Sequence, residues 1–184
     1  MTTRSGSGSA LLVVDVQVGV VAQAWERDRI VGNVSFAVRK AREAGVPVVW
    51  VQHQDDELAP DSPAWQLVPE LEPLPGELRV HKSHNSAFES TELLSQLDQL
   101  GVARIFLAGA ATNWCIRATA YGALERGFDV TLISDAHTAQ DMELEHGRVV
   151  EARSVIDDLN VAMRWLSYPG RSNAAVPVAE ATFA

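Results

Sequence analysis

The chain has 184 residues, 47% of them hydrophobic and 21% charged, with 15 Lys+Arg against 24 Asp+Glu, five histidines and one cysteine. A net charge of −9 excludes nucleic acid and anionic membrane surfaces as main partners, because both are bound through clustered Lys and Arg, and leaves a small-molecule substrate as the expected ligand. The single cysteine, Cys115, excludes an internal disulfide scaffold and a two-cysteine zinc site.

No apolar run approaches the ~20 residues of a membrane span, and Asp15 and Gln17 interrupt any signal-peptide core, so the expected location is cytoplasmic. A chain of this size buries roughly 70% of the surface its unfolded form exposes, enough for one domain without a disulfide or structural metal.

Residues 1–9, MTTRSGSGS, are small and polar and predict a disordered leader ahead of a single domain over 10–184. ALLVVDV (10–16) reads as a buried strand. Ile30, Val34, Ala37, Val38 and Ala41 then recur at helical spacing over 29–44, ended by Gly45 and Pro47. VPVVWVQ (46–52) is a second strand. The polar, proline-marked passage 54–77 is too long for a routine connection and reads as a functional loop. A short strand at 78–81 leads to a helix over 90–100 with a Leu93, Leu94, Leu97, Leu100 stripe. ARIFLAGA (103–110), a helix over 114–126, and FDVTLISDA (128–136) follow. Residues 142–166 predict one helix or two stacked pieces, and 176–184 a last edge strand. Strands alternating with helices predict an α/β fold: a mostly parallel open sheet with helices on both faces, binding its ligand beyond the carboxyl ends of the strands.

Three ionisable groups fall at such ends: Asp15, Lys82 and Cys115. A nearby ammonium and a helix N-terminus lower a thiol pKa, so Lys82 and the predicted helix start are expected to favour a Cys115 thiolate. Backbone N–H groups there can form an oxyanion hole, and Asp15 can carry the proton. Cys115 alone reads equally well as a small buried hydrophobe, and Lys82 alone as a surface lysine. Asp15 inside an apolar strand demands a buried partner or an exposed strand end.

LLVVDVQ, VHKSHNSAFEST and LAGAATNWCIRATAYGALERGFDVTLISDAHTA together resemble the isochorismatase-like cysteine hydrolases, a family that includes nicotinamidases and related amidases. The resemblance runs from about Leu11 to Phe183. It implies a three-layer α/β/α fold with an Asp15–Lys82–Cys115 triad, a cis peptide at Ala110–Ala111, and the N–H groups of Ala111 and Cys115 as oxyanion donors. It also implies a homo-oligomer, a dimer or higher, in which the apolar residues of 171–184 can pack on a neighbour. The family's metal pair is not matched: Val51 stands where nicotinamidases carry an aspartate, and the 54–77 loop has no histidine, so no metal and no cofactor is expected.

Candidate pocket residues are Gln17, His53, Trp65, Phe88, Asn113 and Trp114, with Trp25 a further loop aromatic; each also has a plain structural role open to it, and Asn113 suits a helix cap. His81, His84, His137 and His146 lack ligand spacing. The expected activity is hydrolysis of a small amide through a thioester. Hydrolysis of an ester or vinyl ether, and a non-catalytic thiol redox or binding protein, are the alternatives.

Overall fold

The computed structural model describes residues 4–183. A six-stranded, wholly parallel sheet forms the centre, in the order β3-β2-β1-β4-β5-β8. Its strands are β1 (Gly8–Val14), β2 (Val48–His53), β3 (Leu78–Lys82), β4 (Val102–Ala110), β5 (Asp129–Thr138) and β8 (Asn173–Val176). Central strands of a parallel sheet are covered on both faces, which is why β1 and β2 read as continuous apolar runs rather than alternating ones. Leu11 and Val13 pack on one face with Ile30, Val34, Ala37, Val38 and Ala41 of α2 (Arg27–Glu43). Leu12 and Val14 pack on the other with α3 (Leu93–Gln99), α4 (Arg117–Glu125) and α5 (Ala152–Trp165). A one-turn helix, α1 (Val18–Val21), follows β1.

Four sequence expectations are corrected. Residues 142–150 form a two-stranded antiparallel hairpin, β6 (Met142–Glu143) and β7 (Val149–Val150), instead of starting a helix. His146 and Gly147 take left-handed conformations at φ 62° and 71°, which no helix continues through. The last strand is Asn173–Val176, and Pro177 ends it; the chain then crosses to the α2 face, where Phe183 stacks 4.4 Å from Phe106 and Lys40 donates to the carbonyls of Val178, Ala179 and Ala181. Val178, Ala181 and Phe183 are thus buried against their own chain rather than left to cover a neighbour.

The leader is shorter than expected. Residues 1–3 lie outside the described residues, Gly8 and Ser9 belong to β1, and Arg4 stacks its guanidinium 4.0 Å from the Phe128 ring. Gly6 makes this approach possible, because a Cβ there would lie 2.0 Å from the Gly101 carbonyl oxygen.

The 54–77 loop contains no strand of the sheet, yet it is fixed along the chain that leaves β1. Val18 N–H donates to Gln66, Gly19 N–H to Ala64, and Val68 N–H to Val16. Its own Val68 and Leu71 are buried.

Candidate active site

Strand order reverses between β1 and β4, and a parallel sheet opens a crevice at such a point. Asp15 directly follows β1 there, and Cys115 sits in a single π-helical turn, Thr112–Ile116, directly after β4. Asp15 is left-handed (φ 52°) and donates its N–H to the Val51 carbonyl at 2.8 Å, which turns the side chain out of the strand's alternation. Gly109, at φ 126°, lets β4 close on β1: a Cβ there would lie 1.9 Å from the Val14 carbonyl oxygen. The Ala110–Ala111 peptide that follows is cis.

Lys82, the last residue of β3, brings its ammonium into this crevice. Nζ lies 2.7 Å from Asp15 Oδ2 and 3.3 Å from His53 Nδ1, and donates to Cys115 Sγ at 3.2 Å. An ammonium has three protons, so these three contacts use them all. His53 Nδ1 therefore accepts, and Nε2 donates to Asp55 Oδ2 at 3.1 Å. Asp55 Oδ1 in turn accepts from the N–H groups of Glu57 (2.9 Å) and Leu58 (2.8 Å), so a chain of contacts links the buried lysine to the start of the long loop.

Asp15 is 1% exposed, and neither of its carboxylate oxygens receives a well-aligned hydrogen bond among the described residues; the Lys82 contact is an ion pair with spare acceptor capacity. Burial raises the Asp15 pKa above the ordinary carboxylate range, against the pull of the Lys82 charge and of the neighbouring Cys115 thiol. Burial, reinforced by the Asp15 charge and opposed by Lys82, pushes the Cys115 thiol up to about 12. The cation expected to favour a thiolate is in place, and burial acts in the opposite direction on the same sulfur.

The isochorismatase domain model matches residues 9–157. The chain belongs to the isochorismatase family. It is 37% identical over 145 residues to a streptothricin hydrolase of Streptomyces noursei, covering 75% of this chain and 57% of that protein, so it spans little more than half the length of this relative. A ureidoacrylate amidohydrolase of Methylobacterium radiotolerans is 26% identical over 215 residues, covering 92% of this chain and 83% of the other. An isochorismatase crystal structure from Pseudomonas putida KT2440 superposes with a TM-score of 0.83 at 25% identity, over 95% of this chain and 90% of that one.

Some members of the isochorismatase family resembled by this sequence carry a metal, and the residues here do not suit one. Asp15, His53 and Cys115 offer donor atoms all within 4.8 Å of one another, a grouping that sequence reading did not bring together. The Lys82 ammonium touches all three. Val51, where a metal-binding aspartate would stand, is fully buried among apolar neighbours.

A cleft of about 350 Å³ adjoins the turn that carries Cys115, reaching Ala111, Asn113 and Trp114 on one side and Gly19, Glu57, Leu58 and Met142 on the others. Of the expected pocket residues, Asn113 and Trp114 line it; Asn113 makes no side-chain cap to the turn and reaches the Met142 sulfur at 3.3 Å instead.

Gln17, Trp65 and Phe88 have other work, which corrects the expectation that they bind substrate. Gln17 is fully buried, accepting from His53 N–H and donating to the carbonyls of His53 and Trp65. Trp65 meets His81 edge-on at 5.2 Å, away from this cleft. Phe88 stacks on Phe128 in the core at 5.8 Å. Sequence reading missed Asp55, Glu57, Leu58 and Met142. It also passed over Asn85, whose Oδ1 lies 4.0 Å from Cys115 Sγ; its place three residues after Lys82 was the available signal.

Proposed function

We propose that the chain is a metal-independent cysteine hydrolase that cleaves the C–N bond of a small amide through a thioester on Cys115. The observation that carries this reading is the fully buried Lys82 ammonium in contact with both the Asp15 carboxylate and the chain's one thiol. The names of the two hydrolase relatives, one of them an amidohydrolase, support the same reaction class.

In the first half-reaction, Cys115 Sγ adds to the substrate carbonyl as its proton passes to Asp15. The electron pair on oxygen faces the N–H groups of Ala111 and Cys115, each such donor being worth roughly 3 to 4 kcal/mol in comparable sites. The C–N bond then breaks and Asp15 returns the proton to the departing nitrogen. In the second half, Asp15 takes a proton from water as its oxygen adds to the thioester, the C–S bond breaks, and the proton returns to sulfur. Lys82 holds its charge beside sulfur and carboxylate throughout. The raised pKa of Asp15 makes it a stronger base than a surface carboxylate, as removal of a proton from a buried thiol requires.

The test is intact-mass analysis of the protein mixed with a panel of small amides, with release of ammonia or amine measured alongside. A substrate-derived acyl mass on Cys115, absent in Cys115→Ala, is expected, and turnover survives chelators unchanged. Only oxidised forms of Cys115 would identify a redox protein. Vinyl ether turnover that persists in Cys115→Ala would identify the other hydrolase class.

A further inference from the structure

The cleft beside Cys115 has a one-sided charge. Glu57 is the one charged residue on its lining, and its carboxylate has no ion-pair partner among the described residues. The remaining wall is apolar or neutral, and it includes Trp114, 54% exposed, and Met142. No Lys or Arg lies on this lining. Arg27 is bound to Glu70 and Asp28, Arg29 to Glu26, and Lys82 is buried against Asp15. An anionic substrate would find a like charge here and no free cation. A cleft lined by a carboxylate, an exposed indole and a thioether can hold an alkylammonium or guanidinium group, through ion pairing and cation–π attraction.

The position of Glu57 is built rather than incidental. Its N–H is held by Asp55, which His53 ties to Lys82, so the turn carrying the carboxylate is registered on the triad itself. On the far side, Gly19 brings the chain after β1 so close that a Cβ would lie 2.9 Å from Leu58 Cδ2, which fixes the cleft's width beside Glu57.

We infer that the cleft selects amides bearing a cationic group, an ammonium or guanidinium, bound by the Glu57 carboxylate beside the Trp114 ring. This inference rests on the reading of Cys115 as the nucleophile that the cleft serves. The charge of −9 adds a long-range bias of the same sign, which the test must separate from the local one.

Thiol-modifying methanethiosulfonates that differ only in charge report on the cleft without a known substrate. The rates of Cys115 modification are measured with the trimethylammonioethyl, methyl and sulfonatoethyl reagents, each divided by its rate with free cysteine. The cationic reagent is expected to outpace the anionic one about tenfold. Glu57→Gln should reduce that ratio about three- to fivefold, the worth of one solvent-accessible ion pair. Asp56→Asn, which removes a neighbouring exposed carboxylate outside the cleft, should leave it unchanged.

Equal rates for the two charged reagents, or a ratio insensitive to Glu57→Gln, overturns the inference. So does failure of all three reagents to reach the thiol of the folded chain. If the charge preference holds while no amide leaves an acyl group on Cys115, it is the amidase reading that falls.

Discussion

Asp15 is shielded from bulk solvent, and its ionisation depends on Lys82. Breaking a buried pair by removing one partner typically costs about 3 to 5 kcal/mol, whereas replacing both by apolar or neutral groups is often close to neutral. Lys82→Met or Asp15→Asn alone should therefore lower urea-unfolding stability by that amount. The double variant should regain most of it while remaining inactive. A double variant as unstable as the sum of the singles would show that the two side chains are not energetically paired.

The thiol supplies a second residue-scale prediction. With its pKa pushed up to about 12, Cys115 should react with iodoacetamide slowly through pH 9, and Lys82→Ala should make it slower still by removing the one favourable charge. Rapid alkylation with a midpoint below pH 8.5 would refute the picture of a resting thiol. Asp15 was legible in the sequence because a carboxylate inside an apolar strand is costly, and Cys115 because it stands where a strand meets a helix. The sign of the thiol shift was not. A neighbouring cation can be read from sequence, but the depth of burial that outweighs it is a property of the closed fold.

The turn that carries Cys115 is held from behind by a strand and a helix. Thr112, in that turn, donates to His137 Nδ1 of β5 at 2.9 Å, and His137 Nε2 donates to Asn160 Oδ1 of α5 at 3.1 Å. His137 is fully buried, and burial lowers its pKa to about 4. The folded state keeps it neutral while the unfolded chain takes up a proton near 6.5, so its contribution to stability is complete above pH 6.5 and is lost as pH falls through 4. The full loss amounts to about 3 kcal/mol. Urea-unfolding profiles should fall by this much between those values in the wild type and run flatter in His137→Gln.

Elements with a strong period were legible: the α2 stripe and the two central strands stand where their patterns place them. The hairpin at 142–150 was missed because its sequence carries helical spacing, and only the left-handed pair at its tip overrides it.

For the molecule as a whole, the alternation of strands and helices was enough to predict the layers and the edge of the sheet that carries the site. The route of the last residues was not predictable, since a segment such as VPVAEATFA suits an edge strand as well as a cover for an exposed face. Phe183 is the residue that decides it, packed on Phe106 and 8% exposed. Phe183→Ala should cost about 3 kcal/mol of unfolding free energy, in line with large-to-small core changes, while kcat at low temperature stays the same because the tail lies under α2 and away from Cys115. A loss of activity without a loss of stability would place the tail in the active site instead.

The first part of the long loop, residues 54–68, is anchored at both ends. At one end His53 and Asp55 fasten it to the lysine, and at the other Ala64, Gln66 and Val68 are stitched to the chain after β1. The side chains between, Glu57 among them, lie outside the Asp15–Lys82–Cys115 cluster. Under the proposed hydrolase reading, such an arrangement separates what is cleaved from how it is cleaved, so that a new preference can be acquired by exchanging eight consecutive residues, 56–63, while the reacting groups are inherited intact.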